Sequence, residues 1–233
     1  MADKSKDFDV LRAANRAAEH FAVKGAPADA ERHGSGHIND TFLKIYSLGG
    51  LDSNSYILQR INRKVLTDPV AHLENALKVI EHIESKEPDE RRRIGLVRTK
   101  DNRPFWRDED GEYWRMFCCD ISVVTRDTLE SPDQAYQAAK TFGTFIDTLK
   151  DLSPAELKTT FPYFHDTPKR FLKFESAIAA DARNRAAGAK DAVEFALKRK
   201  EMIGVLAGFS ELGELSERIV HNDTKVNNVL FDR

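Results

Sequence analysis

The sequence predicts an α+β fold, with a sheet-rich first half and a helical second half. Two observations carry this prediction. In the first half, short apolar segments alternate with turn sequences rich in glycine and aspartate, as in antiparallel strands. From Ser131 onward, apolar residues recur at spacings of three and four, as in amphipathic helices. We therefore predict two lobes, residues 1–121 and 122–233, with the boundary at residues 121–130.

The first half opens with a predicted helix over residues 7–22, which should end before Gly25 and Pro27. The segment "RHGSGHINDTFLKIY" then alternates around Gly34 and Gly36, which predicts two strands joined by a glycine turn. The apolar segment "YILQRIN" is a further strand candidate. Several glycines at these positions would supply the backbone freedom that tight turns require.

A second helix should begin after Asp68, which is a suitable N-cap, with Pro69 at the first helical position. Three strand candidates follow: "IGLVRT", "RPFWRD" and "YWRMFCCDISVV". In the second half, helices are predicted after the cap Ser131, over residues 168–180 and over residues 189–208.

Composition excludes several classes of protein. The net charge is −2, from 36 basic and 38 acidic residues, which predicts no attraction to nucleic acid or anionic lipid. No apolar run approaches the roughly 20 residues of a membrane helix. The two cysteines, Cys118 and Cys119, are adjacent and make a poor structural disulfide, which favours a reducing, cytoplasmic location.

The segment "IVHNDTKVNNVLFDR" at residues 219–233 carries the strongest chemical signal. His221, Asp223 and Asn228 follow the H-x-D-x-x-x-x-N spacing of a phosphoryl-transfer loop between two short strands. An aspartate there can accept the proton of an attacking hydroxyl, and an asparagine five positions later can bind Mg²⁺. Lys225 can offset charge on the γ-phosphate. The alternative is a capped polar turn without chemistry.

A kinase also needs groups that bind its nucleotide. Gly34 and Gly36 could shape a turn over the phosphates, although an ordinary hairpin has the same pattern. A cation should come from the third strand; Arg60 is our first choice and Gln59 the second, and alternation places them on opposite faces. An acid on the next helix should pair with that cation, and Glu74 is preferred over the later glutamates. The strand containing Phe117 and Cys119 should lead to a hinge for adenine.

These motifs together resemble the aminoglycoside phosphotransferase-like kinases, a branch of the protein-kinase fold. "GSGHINDTF", "YILQRIN" and "HNDTKVNNVLFD" are similar to the N-acetylhexosamine 1-kinase subgroup from about residue 8 onward. The resemblance implies a two-lobe fold with an antiparallel-sheet N-lobe and a partial helical C-lobe. It also implies ATP and Mg²⁺ as cofactors, Asp223 as base for the anomeric hydroxyl of an N-acetylhexosamine, and Asn228 as a metal ligand. His221 would brace the loop.

The same scheme requires a second acid for Mg²⁺, on a strand one hairpin beyond Phe231. Asp232 is too close to Asn228 for this role, so we expect the acid to lie beyond Arg233. On this interpretation the chain is truncated, has little or no catalytic activity, and exposes apolar surface that self-association could cover.

Other functions stay open. An aminoglycoside or amino alcohol is the nearest competing acceptor, and a non-catalytic kinase-like binding module is the competing class. The aromatic residues Phe161, Tyr163 and Phe164 predict either core packing or the floor of an acceptor site. The seven histidines form no zinc-binding motif, and G-x-S-x-G is absent.

Overall fold

The computed structural model describes residues 4–34, 38–49, 52–89 and 95–233. The helices in these ranges are α1 (Lys4–Ala18), α2 (Pro69–Lys86), α3 (Pro132–Thr148), α4 (Thr167–Ala180), α5 (Lys190–Leu197) and α6 (Val205–Glu211). The strands are β1 (Ala26–Pro27), β2 (Glu31–Arg32), β3 (Asp40–Gly49), β4 (Asp52–Arg60), β5 (Leu96–Val97), β6 (Trp106–Arg107), β7 (Tyr113–Cys119), β8 (Val123–Val124) and β9 (Phe231–Asp232).

The chain divides into two compact units. The first comprises Met1–Thr160 together with Ile219–Arg233, and the second comprises Phe161–Arg218. The first unit therefore contains the sheet, α1 to α3 and the segment with the predicted catalytic loop. The second contains α4 to α6. The lobe boundary expected at residues 121–130 falls inside the first unit and stays a prediction.

The main sheet is antiparallel, with the strand order β1-β3-β4-β7-β5; β2 also pairs with β3, and β6 with β7. The predicted α+β class and antiparallel sheet are confirmed. In the central pairing, Gln59 lies opposite Arg115, and Arg60 lies opposite Trp114. Because successive residues of a strand point to opposite faces, these two pairs lie on different sides of the sheet.

One face of the sheet is apolar and packs against α1. Its fully buried residues include Phe42, Leu58, Trp114 and Met116, which pack with small residues of α1 and with Phe21. Alanines on α1 let the helix backbone approach the aromatic side chains closely, and burial of this area from water stabilises the lobe.

The opposite face is polar where it faces the start of α2. Arg115 Nε donates a hydrogen bond to Gln59 Oε1 at 3.0 Å, and Gln59 Nε2 donates to Thr41 Oγ1 at 3.2 Å. His72 of α2 lies close enough to Arg115 to be affected by its charge. A hydrogen-bonded polar row thus crosses three central strands.

A separate apolar cluster packs the end of the chain against the helices. Ile83 of α2 and Leu149 and Leu152 after α3 are buried together, with Phe145 and Ile219 packed against them. β8 and β9 form a separate two-stranded sheet, in which Val124 lies opposite Phe231. Residues 219–233 are therefore held at both ends within the first unit.

The capping predictions are confirmed. Asp68 Oδ1 accepts from the backbone N of Ala71 at 3.0 Å, and Ser131 Oγ accepts from the backbone N of Gln134 at 3.2 Å.

Several predicted bounds are wrong. The first helix ends at Ala18 rather than at residue 22. The helix predicted over residues 189–208 is interrupted by a 3₁₀ turn at Lys200–Met202. Of the two short strands expected on either side of the 221–228 loop, the first, at residues 219–220, does not form. In the described ranges, no helix has the length and apolar character required to cross a bilayer.

We expect Phe42→Ala to lower the free energy of unfolding by about 3–5 kcal/mol, because a fully buried ring would leave a cavity against α1. Urea denaturation would measure the loss. Phe8→Ala is the matched control, since Phe8 is 67% exposed on the same helix that covers Phe42, and should change stability little. Equal losses in the two variants would contradict the packing described.

We also expect His72→Gln to reduce the loss of stability on acidification. Burial, and then the nearby charge of Arg115, lowers the pKa of His72 from 6.5 to about 4. Between these values the unfolded chain binds a proton that the folded chain does not, so wild-type stability falls as pH falls through this window. Thermal unfolding at about pH 7 and about pH 5 measures the effect. The exposed His33, changed to Gln, is the control; an unchanged acid sensitivity in His72→Gln would refute the assignment.

Candidate active site

The loop at residues 221–228 brings Asp223 and Asn228 into direct contact. Asn228 Nδ2 donates hydrogen bonds to Asp223 Oδ2 at 2.9 Å and to the Asp223 backbone oxygen at 2.7 Å. A 3₁₀ turn at Val226–Asn228 returns the chain toward Asp223, and Asn222, with φ +64°, turns it just before the aspartate. Asparagine tolerates this left-handed conformation better than most residues. The sequence spacing therefore corresponds to a contact in space.

Residues before, within and after the 221–228 loop contact the rest of the first unit. The ring of His221 makes edge-on contacts with Phe142 and Phe145 of α3, at centroid distances of 5.5 and 5.8 Å. Asn227 Nδ2 donates to Asp127 Oδ1 at 3.0 Å, and Val229 is buried directly after the turn. His221 thus occupies the bracing position expected of it, with its ring against aromatic side chains.

The Asp223 carboxylate is kept ionised. The hydrogen bond from Asn228 is the main cause that lowers its pKa below the usual value, and the charge of Lys225 lowers it further. Lys225 Nζ lies 3.5 Å from Asp223 Oδ2, and both side chains are more than half exposed. An exposed, ionised carboxylate beside a lysine can accept a proton while the lysine faces an incoming anion.

Asn228 also suits a divalent cation. Its Nδ2 faces Asp223, so its Oδ1 is directed away from the carboxylate and is an oxygen ligand of the kind Mg²⁺ takes. The neighbouring residues offer few further metal ligands, because no three His, Cys, Asp or Glu side chains cluster as a metal site in the described ranges. The loop therefore fits partial coordination, in which phosphate oxygens and water would supply the remaining ligands.

A short sheet connects this loop to the predicted hinge. β8 follows β7 after a turn at residues 120–122, and it pairs with β9, which directly follows the loop. The backbone N of Arg233 donates to the backbone oxygen of Ser122 at 3.1 Å. The two predicted adenine residues, Phe117 and Cys119, lie on one face of β7, since they are two positions apart.

The glycine turn is described only in part. Gly34 is exposed, has φ +76° and has open space where a side chain would begin, which suits a turn over a ligand. Gly36 lies outside the described residues. The phosphate role of both glycines stays a prediction.

Arg60 and Glu74 do not come together. Arg60 Nη2 lies 2.6 Å from Asp40 Oδ2, and its guanidinium lies 5.8 Å from the ring of Trp114. Glu74 instead pairs with Lys158 at 2.7 Å. The predicted pairing of Arg60 with Glu74 is therefore wrong.

Arg60 also lies on the α1 side of the sheet, opposite the face that carries Phe117. Asp40 binds both Arg60 and Arg32; although burial would raise the pKa of Asp40, these hydrogen bonds lower it. Arg60 thus serves an ion-pair network at the base of the hairpin.

Sequence reasoning missed Arg115. It lies on the same face as Phe117 and Cys119, opposite Gln59, which was our second choice for the phosphate-binding position. A signal was present, because a single arginine stands at alternate spacing from Phe117 within the apolar segment "YWRMFCC". Its neighbour on β4 could be assigned only once the register of the two strands was known.

The chain is similar to known proteins both in sequence and in fold. Residues 29–233 match the model of the APH family, described as "Phosphotransferase enzyme family". The fold is similar to the crystal structure of spectinomycin phosphotransferase, APH(9)-Ia, in complex with ADP and spectinomycin, with a TM-score of 0.51 and 12% identity. The alignment covers 95% of this chain and 65% of that chain, so the present chain spans just under two thirds of that neighbour.

At 12% identity, the structural similarity supports the kinase-like α+β fold alone. The family match is of a different kind, because it extends over most of the sequence and includes the loop that joins Asp223 to Asn228. On that match, the chain belongs to the APH phosphotransferase enzyme family.

Proposed function

We propose that this protein is an ATP-dependent small-molecule kinase that transfers the γ-phosphoryl group to an alcohol. The main support for this proposal is the contact between Asp223 and Asn228. The loop that holds both residues is fixed by its packing on α3 and by the pairing of β8 with β9. The family match supports phosphoryl transfer, and the fold neighbour's complex with ADP supports an adenine nucleotide.

Asp223 is proposed as the general base. Among described residues, its contacts with Asn228 and Lys225 both go to Oδ2, which leaves Oδ1 to accept the proton of the acceptor hydroxyl. The acceptor oxygen forms a bond to the γ-phosphorus as the bond from that phosphorus to the β–γ bridging oxygen breaks, and ADP leaves. Lys225 stabilises the charge on the transferring group.

Asn228 is proposed as a Mg²⁺ ligand through Oδ1. Bound Mg²⁺ would neutralise charge on the ATP phosphates. Asn228 is the protein ligand that the described loop offers, and phosphate oxygens and water would complete the coordination.

For the acceptor, we propose the anomeric hydroxyl of an N-acetylhexosamine. Support comes from the H-x-D-T-K pattern, in which Thr224 and Lys225 follow Asp223. An aminoglycoside is a second candidate, because the fold neighbour was solved with spectinomycin. Phe161, Tyr163 and Phe164 of the second unit are exposed rather than buried in a core, and the acceptor role expected of them stays a prediction.

The competing class is a binding module without catalysis. It draws support from the location of Arg60, which lies on the wrong face to bind phosphates with Phe117. A cytoplasmic location also remains part of the proposal, supported by the adjacent cysteines, which are both free thiols.

We expect Asp223→Asn to lower phosphoryl transfer by about 10²-fold or more, because the amide cannot accept the hydroxyl proton. Transfer from labelled ATP would be measured at high protein concentration with N-acetylhexosamines, aminoglycosides and amino alcohols as separate acceptors. Asp110→Asn, in the exposed turn before β7, is the control and should leave the rate unchanged.

An unaffected rate in Asp223→Asn would remove Asp223 from the mechanism. Transfer to aminoglycosides with none to hexosamines would overturn the proposed acceptor. Tight ADP binding without transfer to any acceptor would favour the binding module.

A further inference from the structure

Arg115 is a half-buried arginine whose position the proposed mechanism does not yet use. It sits at the centre of the sheet on β7, with its guanidinium 5.0 Å from the ring centroid of Phe117. Its Nε donates a hydrogen bond to Gln59, and Gln59 in turn donates one to Thr41. The side chain is therefore oriented by two strands.

The charge of Arg115 is not balanced by a carboxylate. Several other arginines of this unit pair with acids: Arg60 with Asp40, Arg98 with Glu81, and Arg63 with Glu112. In the part of the chain that the structure describes, Arg115 forms no such pair. Burial alone lowers its pKa to about 10, so it stays protonated at neutral pH.

His72, which lies near Arg115, neither balances nor adds to this charge. Its pKa of about 4 means that it is neutral at physiological pH. A buried charge without a partner is unfavourable, and evolution tends to keep such a group where a ligand completes it. The site is thus suited to an anion.

We propose that Arg115 binds the α- and β-phosphates of the nucleotide, in place of the cation that the sequence predicted on β4. With Nε held by Gln59, the two terminal nitrogens Nη1 and Nη2 can donate to phosphate oxygens. Phe117 lies two residues along the same face, about 7 Å away along the strand, in the segment proposed for adenine. This inference rests on the proposed function.

The residues next to Arg115 favour a nucleotide over another anion. Phe117 and Cys119 offer an apolar surface on the same face of β7, and β7 leads into the segment paired with the strand after the catalytic loop. A base with phosphates attached has both an apolar and an anionic part.

The experiment compares ADP with adenosine, which lacks the phosphates, by calorimetric titration. Arg115→Met should weaken ADP binding by about tenfold or more and leave adenosine affinity within about twofold. Arg115→Lys should recover part of the ADP affinity. Arg103→Met is the neutral control, because Arg103 is exposed in a distant turn and pairs with Asp101.

Thermal unfolding without ligand separates binding from folding. Removal of an unpaired buried charge should leave the midpoint of Arg115→Met equal to or above that of wild type, while the upward shift caused by ADP is reduced. Gln59→Leu provides a second test, since loss of the orienting acceptor should also weaken ADP binding selectively.

Wild-type ADP affinity in Arg115→Met would overturn this inference, as would equal weakening of ADP and adenosine. Loss of ADP binding in Arg60→Met, with ADP affinity unchanged in Arg115→Met, would instead identify Arg60 as the phosphate-binding residue. If wild type binds ADP and transfers phosphate through Asp223 while the Arg115 variants behave normally, only this inference fails. If wild type binds no nucleotide, the proposed function fails as well.

Discussion

The pairing of β4 with β7 is the constraint on which the rest of the structure depends. Its register places Leu58 and Met116 together on the side that α1 covers, and Gln59 and Arg115 together on the other side. A shift of one residue would move the apolar set into the polar face and bury charges against α1. The same hydrogen bonds that stabilise the sheet therefore decide which side chains can meet a ligand.

The proposed catalytic loop depends on this sheet indirectly. β7 continues through a short turn into β8, and β8 pairs with the strand that follows the loop. On its other flank, Ile219 packs with α2 and α3, and His221 lies against two aromatic rings of α3. Between these anchors Asp223, Lys225 and Asn228 are exposed, so rigidity comes from the flanks while the proposed reactive atoms stay accessible. Such an arrangement is common where function requires precise placement without burial.

The two arginines of the central strands illustrate how environment separates structural from ligand-binding roles. Arg60 has an aspartate on a neighbouring strand, so its charge is satisfied by the protein itself. Arg115 has a glutamine and an aromatic ring, which orient the guanidinium without neutralising it. Satisfied ion pairs stabilise a hairpin, whereas an oriented charge without a carboxylate partner is a cost to folding that a bound anion would offset.

The sequence by itself determined the antiparallel sheet, the capped starts of α2 and α3, and the loop that joins Asp223 to Asn228. These features rest on local signals: alternation, capping residues and a fixed spacing along the chain. Only the tertiary structure decided that Arg60 forms an ion pair with Asp40, and Glu74 with Lys158. It also decided that Arg115 and Phe117 share one face of the sheet. Each of these pairings joins residues from different elements. Which partners meet is set by strand register and helix packing, and no pattern within one segment contains that information.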